Sequence, residues 1–553
     1  MSEAAESQGA GPAGGPGEHP ERVVSRHSGL ARRTALVSVM TLGSRVLGFV
    51  REVQSAALFG SASAFYDAFL TAWRVPNLFR RFFGEGALST SLQTALTESD
   101  ADRGDAAGRA LFLATIRITT LVLIAICVAA SAVLALTPRL VESGLLGEPE
   151  GASTVVELAV RFMPFLVMIC LAALSAGALQ VRGHFFTPAL GPIAMNVVWI
   201  LALAWIAITM DGESELDQLR FLCWGVLTAG AAQLAVQFPA LRRHGLLGSP
   251  LEGSTREGWK VLRASAPFAL GAAAYQINVL IDGLMAEALL PDGGPTAHYY
   301  ANRVQQLPLA LIAVAATSSV FPAFKALGHL KRLDELRALH DRTQLSVLFL
   351  ALPSAVGLAV LAEPIGAALF EHGAFQADGT ARLAKALAVV ALALPAAGAI
   401  GLTSRLYYSL GDIRTPVRIS IAALVLNTAL NFLFLLGFKM DVEGLAAATV
   451  ISSCFNWLLL LPGLRGRLGL PRAERDLARR VGTTALAATA SGAGAWGAAR
   501  GVASIAEASL GAGTLADVAT VVAGIAAGAG AFGAVALGLR APELELVLKR
   551  FRA

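Results

Sequence analysis

The stretch SRVLGFVREVQSAALFG, Ser44 to Gly60, lies inside the first long apolar segment of the chain and carries Arg45, Arg51 and Glu52 within it. A charge at bilayer depth costs at least ~2.5 kcal/mol on insertion scales, so these residues need compensation or a function. The surroundings are clearly apolar: of 553 residues, 55% are hydrophobic and 15% charged, whereas a soluble domain carries about 25% charged residues. Apolar runs of about 20 residues recur from end to end, which predicts an all-α polytopic membrane protein.

Fourteen apolar spans can be read, at 34–58, 64–95, 111–136, 155–181, 187–210, 219–241, 260–290, 296–324, 343–370, 380–411, 416–438, 442–463, 478–500 and 513–539. Lys and Arg alternate between the connecting loops. They precede the first span at Arg22, Arg26, Arg32 and Arg33, and they recur after the fourth, sixth, eighth, tenth and twelfth spans. The intervening loops are poor in them and several are acidic, as in ESGLLGEPEG after the third span and DGESELDQ after the fifth. The positive-inside rule then predicts a multi-pass protein with both termini in the cytoplasm. Residues 1–30, rich in Gly, Pro, Ala and Ser, read as a disordered cytoplasmic tail without the apolar core of a signal peptide.

Two loops share the pattern Gly-x-x-x-Thr-Pro: GHFFTP (Gly183–Pro188) between spans four and five, and GDIRTP (Gly411–Pro416) between ten and eleven. The offset of six spans predicts two six-helix lobes, residues 31–243 and 244–465, followed by a helix pair and a cytoplasmic C-terminus in 466–553. Cys127, Cys170, Cys223 and Cys454 all fall in apolar runs and read as packing residues, with no disulfide framework or metal-ligand spacing. The net charge of +5 is spread over loops on one side and implies no nucleic-acid partner.

Charges recur inside the membrane. In the second span Asp67, Arg74 and Arg81 are spaced by seven on one helical stripe, with Glu85 one turn beyond and Arg80 on another side. In the first span Ser44 shares a face with Arg51 and Arg45 shares one with Glu52, with Gly48 between them. Arg303 is set in HYYANRVQQLP of the eighth span. Arg74 and Arg81 have carboxylates at hand and can be read as paired residues near span ends. Arg45, Arg51, Arg80 and Arg303 together exceed the carboxylates available from Glu52, Asp67 and Glu85, and buried surplus positive charge calls for an anion or a water-filled cavity. Arginine's planar fork takes phosphate oxygens in bidentate fashion and stays charged at any depth, so a cationic cavity for a phosphate or diphosphate group is the expectation.

The block TLGSRVLGFVREVQSAALFGSASAFYDAFLTAWRVPNLFRRFFGEGALS resembles the N-terminal signature of the MurJ (MviN) family of lipid II flippases, within the MOP superfamily of exporters. The resemblance continues through YQINVLIDGLMA, YYANRVQQLPLAL, LALPSAVGLAV and LYYSLGDIRTPVRI, covering most of residues 34–465. It implies about fourteen transmembrane helices, two six-helix lobes around a central cavity, and a C-terminal helix pair making a groove for the lipid tail. It also implies a transporter, not an enzyme, of the bacterial cytoplasmic (inner) membrane. Its activity would be to flip lipid II by alternating access for peptidoglycan synthesis, cell wall biogenesis and cell shape. The cavity residues it implies are Ser44, Arg45, Gly48, Arg51, Asp67, Arg80, Glu85 and Arg303. Glu52 stands where the family commonly has Asp, which keeps the charge, but Asn302 and Gln306 stand where it often has acids, so a local salt bridge to Arg303 is not expected and the cavity should be more positive than the family pattern.

The partners implied are lipid II, membrane lipids and other proteins of cell wall synthesis, with the chain acting as a monomer. No cofactor is expected: the chain has neither a G-x-x-x-x-G-K-[ST] loop nor an H-E-x-x-H motif, so energy should come from the membrane potential or an ion gradient. Some family members are similar in having a sodium site on three helices, which here would use Asp282, Asn427, Asn431 and Thr449; interhelical hydrogen bonding by the two asparagines is the alternative. A MOP exporter of another polyprenyl-diphosphate-linked saccharide shares the same anionic handle. A cationic-drug exporter is disfavoured by the arginine excess, and a glycosyltransferase by the lack of a paired-carboxylate constellation in the short outer loops.

Overall fold

A computed structural model describes residues 20–83, 87–142, 152–249, 253–468, 474–510 and 513–544. Among the described residues all regular structure is helical. The N-terminal half holds α1 (Pro20–Phe59), α2 (Ala64–Phe83), α3 (Ala87–Arg103), α4 (Asp105–Glu142), α5 (Ala152–Val181), α6 (Phe186–Thr209), α7 (Glu215–Ala235) and the short α8 (Phe238–Arg243). The second half holds α9 (Thr255–Leu289), α10 (Gly294–Leu309), α11 (Ala315–His329), α12 (Leu333–Val360), α13 (Ala362–Phe370), α14 (Ala377–Val390), α15 (Leu394–Ser409), α16 (Arg414–Phe432) and α17 (Val442–Leu468). The chain then forms α18 (Glu474–Leu510) and α19 (Thr514–Gly538).

Each of the fourteen apolar spans is overlaid by helix, and nine described stretches are long and apolar enough to cross a membrane. The helices differ from the spans where charge or sequence breaks intervene. Span 64–95 is carried by two helices, α2 and α3, and α2 packs Asp67, Arg74, Arg80 and Arg81 into 20 residues. Helix α1 begins at Pro20, inside the segment read as a tail, while residues 1–19 lie outside the described residues.

Within the bundle α9, the first helix of the second half, packs on α2, α3 and α4 as well as on α16. Helix α5 is the hub of one lobe, against α2, α4 and α7, with α1 on α6 and α6 on α7. In the other lobe α14 packs on α10 and α17, α16 on α17, and α12 on α15. Helices α18 and α19 pair with each other and lean on α12 and α13. The four cysteines are outside any disulfide, and three of them are buried.

The two Gly-x-x-x-Thr-Pro loops adopt one geometry. Gly183 and Gly411 both take positive φ (74° and 78°), and in each loop the next residue donates its N–H five residues back, His184 to Leu179 and Asp412 to Tyr407. This is the glycine-terminated helix end whose last carbonyls are satisfied by the turn itself. In the second loop Asp412 also accepts the Thr415 N–H at 3.0 Å, capping α16, and pairs with Arg467.

The lobes meet tightly at the α1–α2 turn. Backbone approaches backbone there: Ala374 N–H donates to Ala57 O at 2.8 Å, and a Cβ on Gly293 would lie 2.1 Å from Ser61 O. With φ of +82° as well, Gly293 is a position that only glycine fills without strain. Asp67 of α2 reaches the N-terminus of α10, accepting Gly293 N–H (2.6 Å), Thr296 N–H (2.8 Å) and the Thr296 hydroxyl (2.5 Å). It thereby satisfies donors that a helix start leaves open and places negative charge at the positive end of the dipole. Tyr66 and Tyr300 share a 2.7 Å hydroxyl hydrogen bond beside it. Arg382 fastens the turn presenting Gly293, donating to Asp292 O at 2.7 Å while paired with Asp441.

Candidate functional site

Away from that seal the lobes enclose a cavity of about 870 Å³. Helix α1 lines it with Ser44, Arg45, Gly48 and Arg51, α2 with Arg74, α6 with Asn196, and α10 with Tyr299 and Arg303. Seven-residue spacing puts Ser44 and Arg51 on one face of α1, and the cavity faces of α6 and α10 complete the ring.

Glu52 is the hub of the charges. Its Oε1 takes Arg51 Nη2 at 2.6 Å and lies 3.6 Å from Arg303 Nη2, and the Tyr299 hydroxyl donates to it at 3.2 Å. Carboxylate and Arg51 are both buried, so this is a charge pair held by hydrogen bonds on all sides, the condition a buried pair requires. Arg51 is held further by Asn196, whose Oδ1 accepts from Nη1 at 3.2 Å, and by the Trp199 ring 4.3 Å below its guanidinium. Asn196 in turn donates to Ser44 O at 3.0 Å, tying α6 to α1. Arg303 keeps 37% of its side chain exposed and Arg45 is exposed, so the positive charge that faces the cavity comes mainly from these two. A Cβ on Gly48 would make ordinary contact with Arg303 Nη2 at 3.8 Å.

The other expected site residues fall elsewhere. Asp67, expected among the arginines, is instead spent on the N-terminus of α10, because two turns along α2 carry it out of reach of the cavity. Arg74 therefore lacks the carboxylate partner expected on its stripe. Its Nη1 is buried without a hydrogen bond among the described residues, while Asp282, Glu287 and Asp67 lie close enough to act on its charge. Glu85 lies outside the described residues, as does the side chain of Arg80. Asn302, standing for the family's acid, turns back along its own helix and donates to His298 O at 2.9 Å.

Asp282, Asn427 and Asn431 come together. Both asparagines of α16 donate to Asp282 Oδ1 at 2.7 Å, and Asn278 donates to Oδ2 at 3.0 Å. Thr449 lines the cavity nearby but donates to Leu445 O of its own helix. The amide oxygens of Asn278 and Asn431 are buried and without hydrogen-bond partners among the described residues. Turned end for end, these amides would present oxygens beside the carboxylate, a donor set that fits a hard cation.

Sequence reading missed Asn196, Trp199 and Tyr299. The legible signal was Asn196, an amide in the otherwise apolar fifth span with Trp199 one turn on.

The profile of the family described as lipid II flippase MurJ matches residues 55–502. The chain belongs to this family. Arg45, Arg51 and Glu52 precede the matched residues, so their assignment rests on geometry. A protein of Rhizobium meliloti (strain 1021) named probable lipid II flippase MurJ is 32% identical over 447 residues, covering 80% of this chain and 82% of its own. A solved lipid II flippase MurJ in an inward closed conformation superposes with a TM-score of 0.71 at 22% identity, covering 91% of this chain and 99% of that one. An inward-facing multidrug resistance MATE transporter of the MOP superfamily gives 0.61 at 13% identity, covering 78% and 98%. These two likenesses establish the fold: a MOP-type bundle of two lobes around a cavity.

Proposed function

We propose that the chain carries lipid II, the undecaprenyl-diphosphate-linked peptidoglycan precursor, from the inner to the outer leaflet of the bacterial cytoplasmic membrane. It is a transporter of the lipid II flippase family, and the observation that carries the substrate reading is the uncompensated charge of the cavity. Glu52 is shared by Arg51 and, at 3.6 Å, Arg303, and Arg45 is exposed, so one carboxylate stands against three guanidinium groups. A diphosphate supplies the missing anion, and two guanidinium forks can take its oxygens in bidentate fashion.

The loop charges put both termini in the cytoplasm, which makes the sealed α1–α2 turn the outer end and the open cavity the inner one. Alternating access then requires the lobes to part at Asp67 and α10 and to close around the arginines. The polyprenyl chain stays in lipid or along α18 and α19. One chain builds the whole cavity, so a monomer suffices. The membrane potential supplies about 2.3 kcal/mol per charge per 100 mV. A sodium ion held by Asp282, Asn427, Asn431 and Thr449 would neutralise a buried carboxylate at the junction of the lobes.

The test is lipid II exposure at the outer leaflet of cells depleted of their own flippase and supplied with this chain, wild type or Arg45→Ala. Rescue by the wild type and failure of a normally inserted Arg45→Ala is the expected result. Failure of both, with normal insertion, would reassign the cavity to another polyprenyl-diphosphate-linked saccharide.

A further inference from the structure

We propose that Trp199 is a positioning residue for Arg51, setting the affinity of the cavity for a diphosphate without touching the cavity itself. The inference rests on the diphosphate reading of the site. Trp199 is 3% exposed and lies behind Arg51, which lines the cavity while Trp199 does not. Its ring faces the guanidinium at 4.3 Å, within the range where an aromatic face attracts a cation, and Trp is the strongest of the aromatic partners. Trp73 braces that ring edge-on, with centroids 5.0 Å apart at 89°, and packs in turn on Phe162 and Phe165.

The guanidinium is thus held at three points: its Cζ over the Trp199 ring, Nη1 bonded to Asn196 and Nη2 to Glu52. A plane held this way keeps its charge at one place beside Arg303 instead of swinging into the open cavity. Such pre-organisation lowers the ordering cost when an anion binds. A second observation says that packing alone does not account for the tryptophan. Its Nε1–H is buried without a hydrogen-bond partner among the described residues, a cost that leucine or phenylalanine would not carry. What the indole offers in return is its face, and Arg51 occupies that face.

The experiment measures binding of geranylgeranyl diphosphate and of geranylgeraniol to the full chain in detergent, for wild type, Trp199→Leu, Trp199→Phe, Arg51→Gln and the double variants. Wild type should prefer the diphosphate. Trp199→Leu should cut that preference about tenfold, the ~1.4 kcal/mol of a desolvated cation–π contact, and Trp199→Phe about threefold, since phenylalanine has the weaker face. Affinity for the alcohol should not move in either variant. In the Arg51→Gln background neither Trp199 substitution should cost anything further, because the group it positions is gone. An unchanged diphosphate preference in Trp199→Leu, or losses that add in the double variant, would overturn the proposal. Should Trp199→Leu not fold, the Trp199→Phe cycle reads the same coupling. A wild type without diphosphate preference would instead remove the site reading, and this inference with it.

Discussion

Replacing Asp67 by Asn should unlock the sealed end of the molecule while leaving the cavity intact. Asp67 accepts three hydrogen bonds from the start of α10, at 2.5 to 2.8 Å, and its donors come from both Gly293 and Thr296. An amide has one acceptor oxygen and presents N–H₂ where the second carboxylate oxygen was. Either the Gly293 N–H or the Thr296 pair then meets a donor. A hydrogen bond to a charged group contributes about 1.5–3 kcal/mol, and the lost anion at a helix N-terminus adds about 0.3–1 kcal/mol. The contact joins residues 226 apart, one on each lobe, and exists only while the lobes touch. The whole loss, about 3 kcal/mol, therefore falls on the equilibrium between sealed and opened conformations and shifts it about 150-fold. Spin labels at Ala62→Cys and Gln376→Cys, both exposed and on opposite lobes, would report it by pulsed distance measurement in a background lacking the native cysteines. The expected outcome is a longer-distance population that appears or grows in Asp67→Asn. A distance distribution identical to the parent, in protein that folds and binds substrate normally, would refute the reasoning that this cap holds the seal.

Glu52→Gln should destabilise the protein by about 3 kcal/mol, because it leaves the buried Arg51 without its counter-charge, and Arg51→Gln in the same chain should restore much of the loss; chemical denaturation of all three variants checks this. Asp412 sits in the loop before α16, where burial pushes its carboxyl up but the Thr415 hydroxyl and N–H and Arg467 outweigh burial and hold it down to about 2. A depressed carboxyl stabilises above its unfolded value of about 3.9, so that contribution should be intact at pH 5 and lost as pH falls from about 4 to 2. Thermal unfolding across that window should show a step that Asp412→Asn lacks. Replacing choline by sodium should raise the unfolding free energy by about 2.7 kcal/mol at a hundredfold excess over Kd, and Asp282→Ala should abolish the response; an indifferent wild type would remove sodium from the proposal.

The membrane class, the helical segments and the repeated Gly-x-x-x-Thr-Pro loop are legible in the sequence, because these depend on local composition. An apolar run has to satisfy its own backbone and therefore coils wherever it sits. Gly183 and Gly411 end their helices in the same turn because the positive φ that the turn needs is a local property of glycine. Arg45, Arg51 and Arg303 could be singled out for a similar reason, since a charge in an apolar span is conspicuous one residue at a time.

What each charge does follows from how the helices pack. Asp67 and Arg74 share a stripe of α2, which made them look like partners, yet the seal takes the first and leaves a nitrogen of the second bare. Arg51 and Arg303 look equivalent in sequence, but Asn196 and Trp199, nearly 150 residues further along the chain, engage one of them and leave the other half free. Helical periodicity says which way a side chain points along its own helix and nothing about which helix will stand opposite. That choice is made by how two lobes pack around a cavity, and it separates the arginine that is held in place from those left more exposed in it.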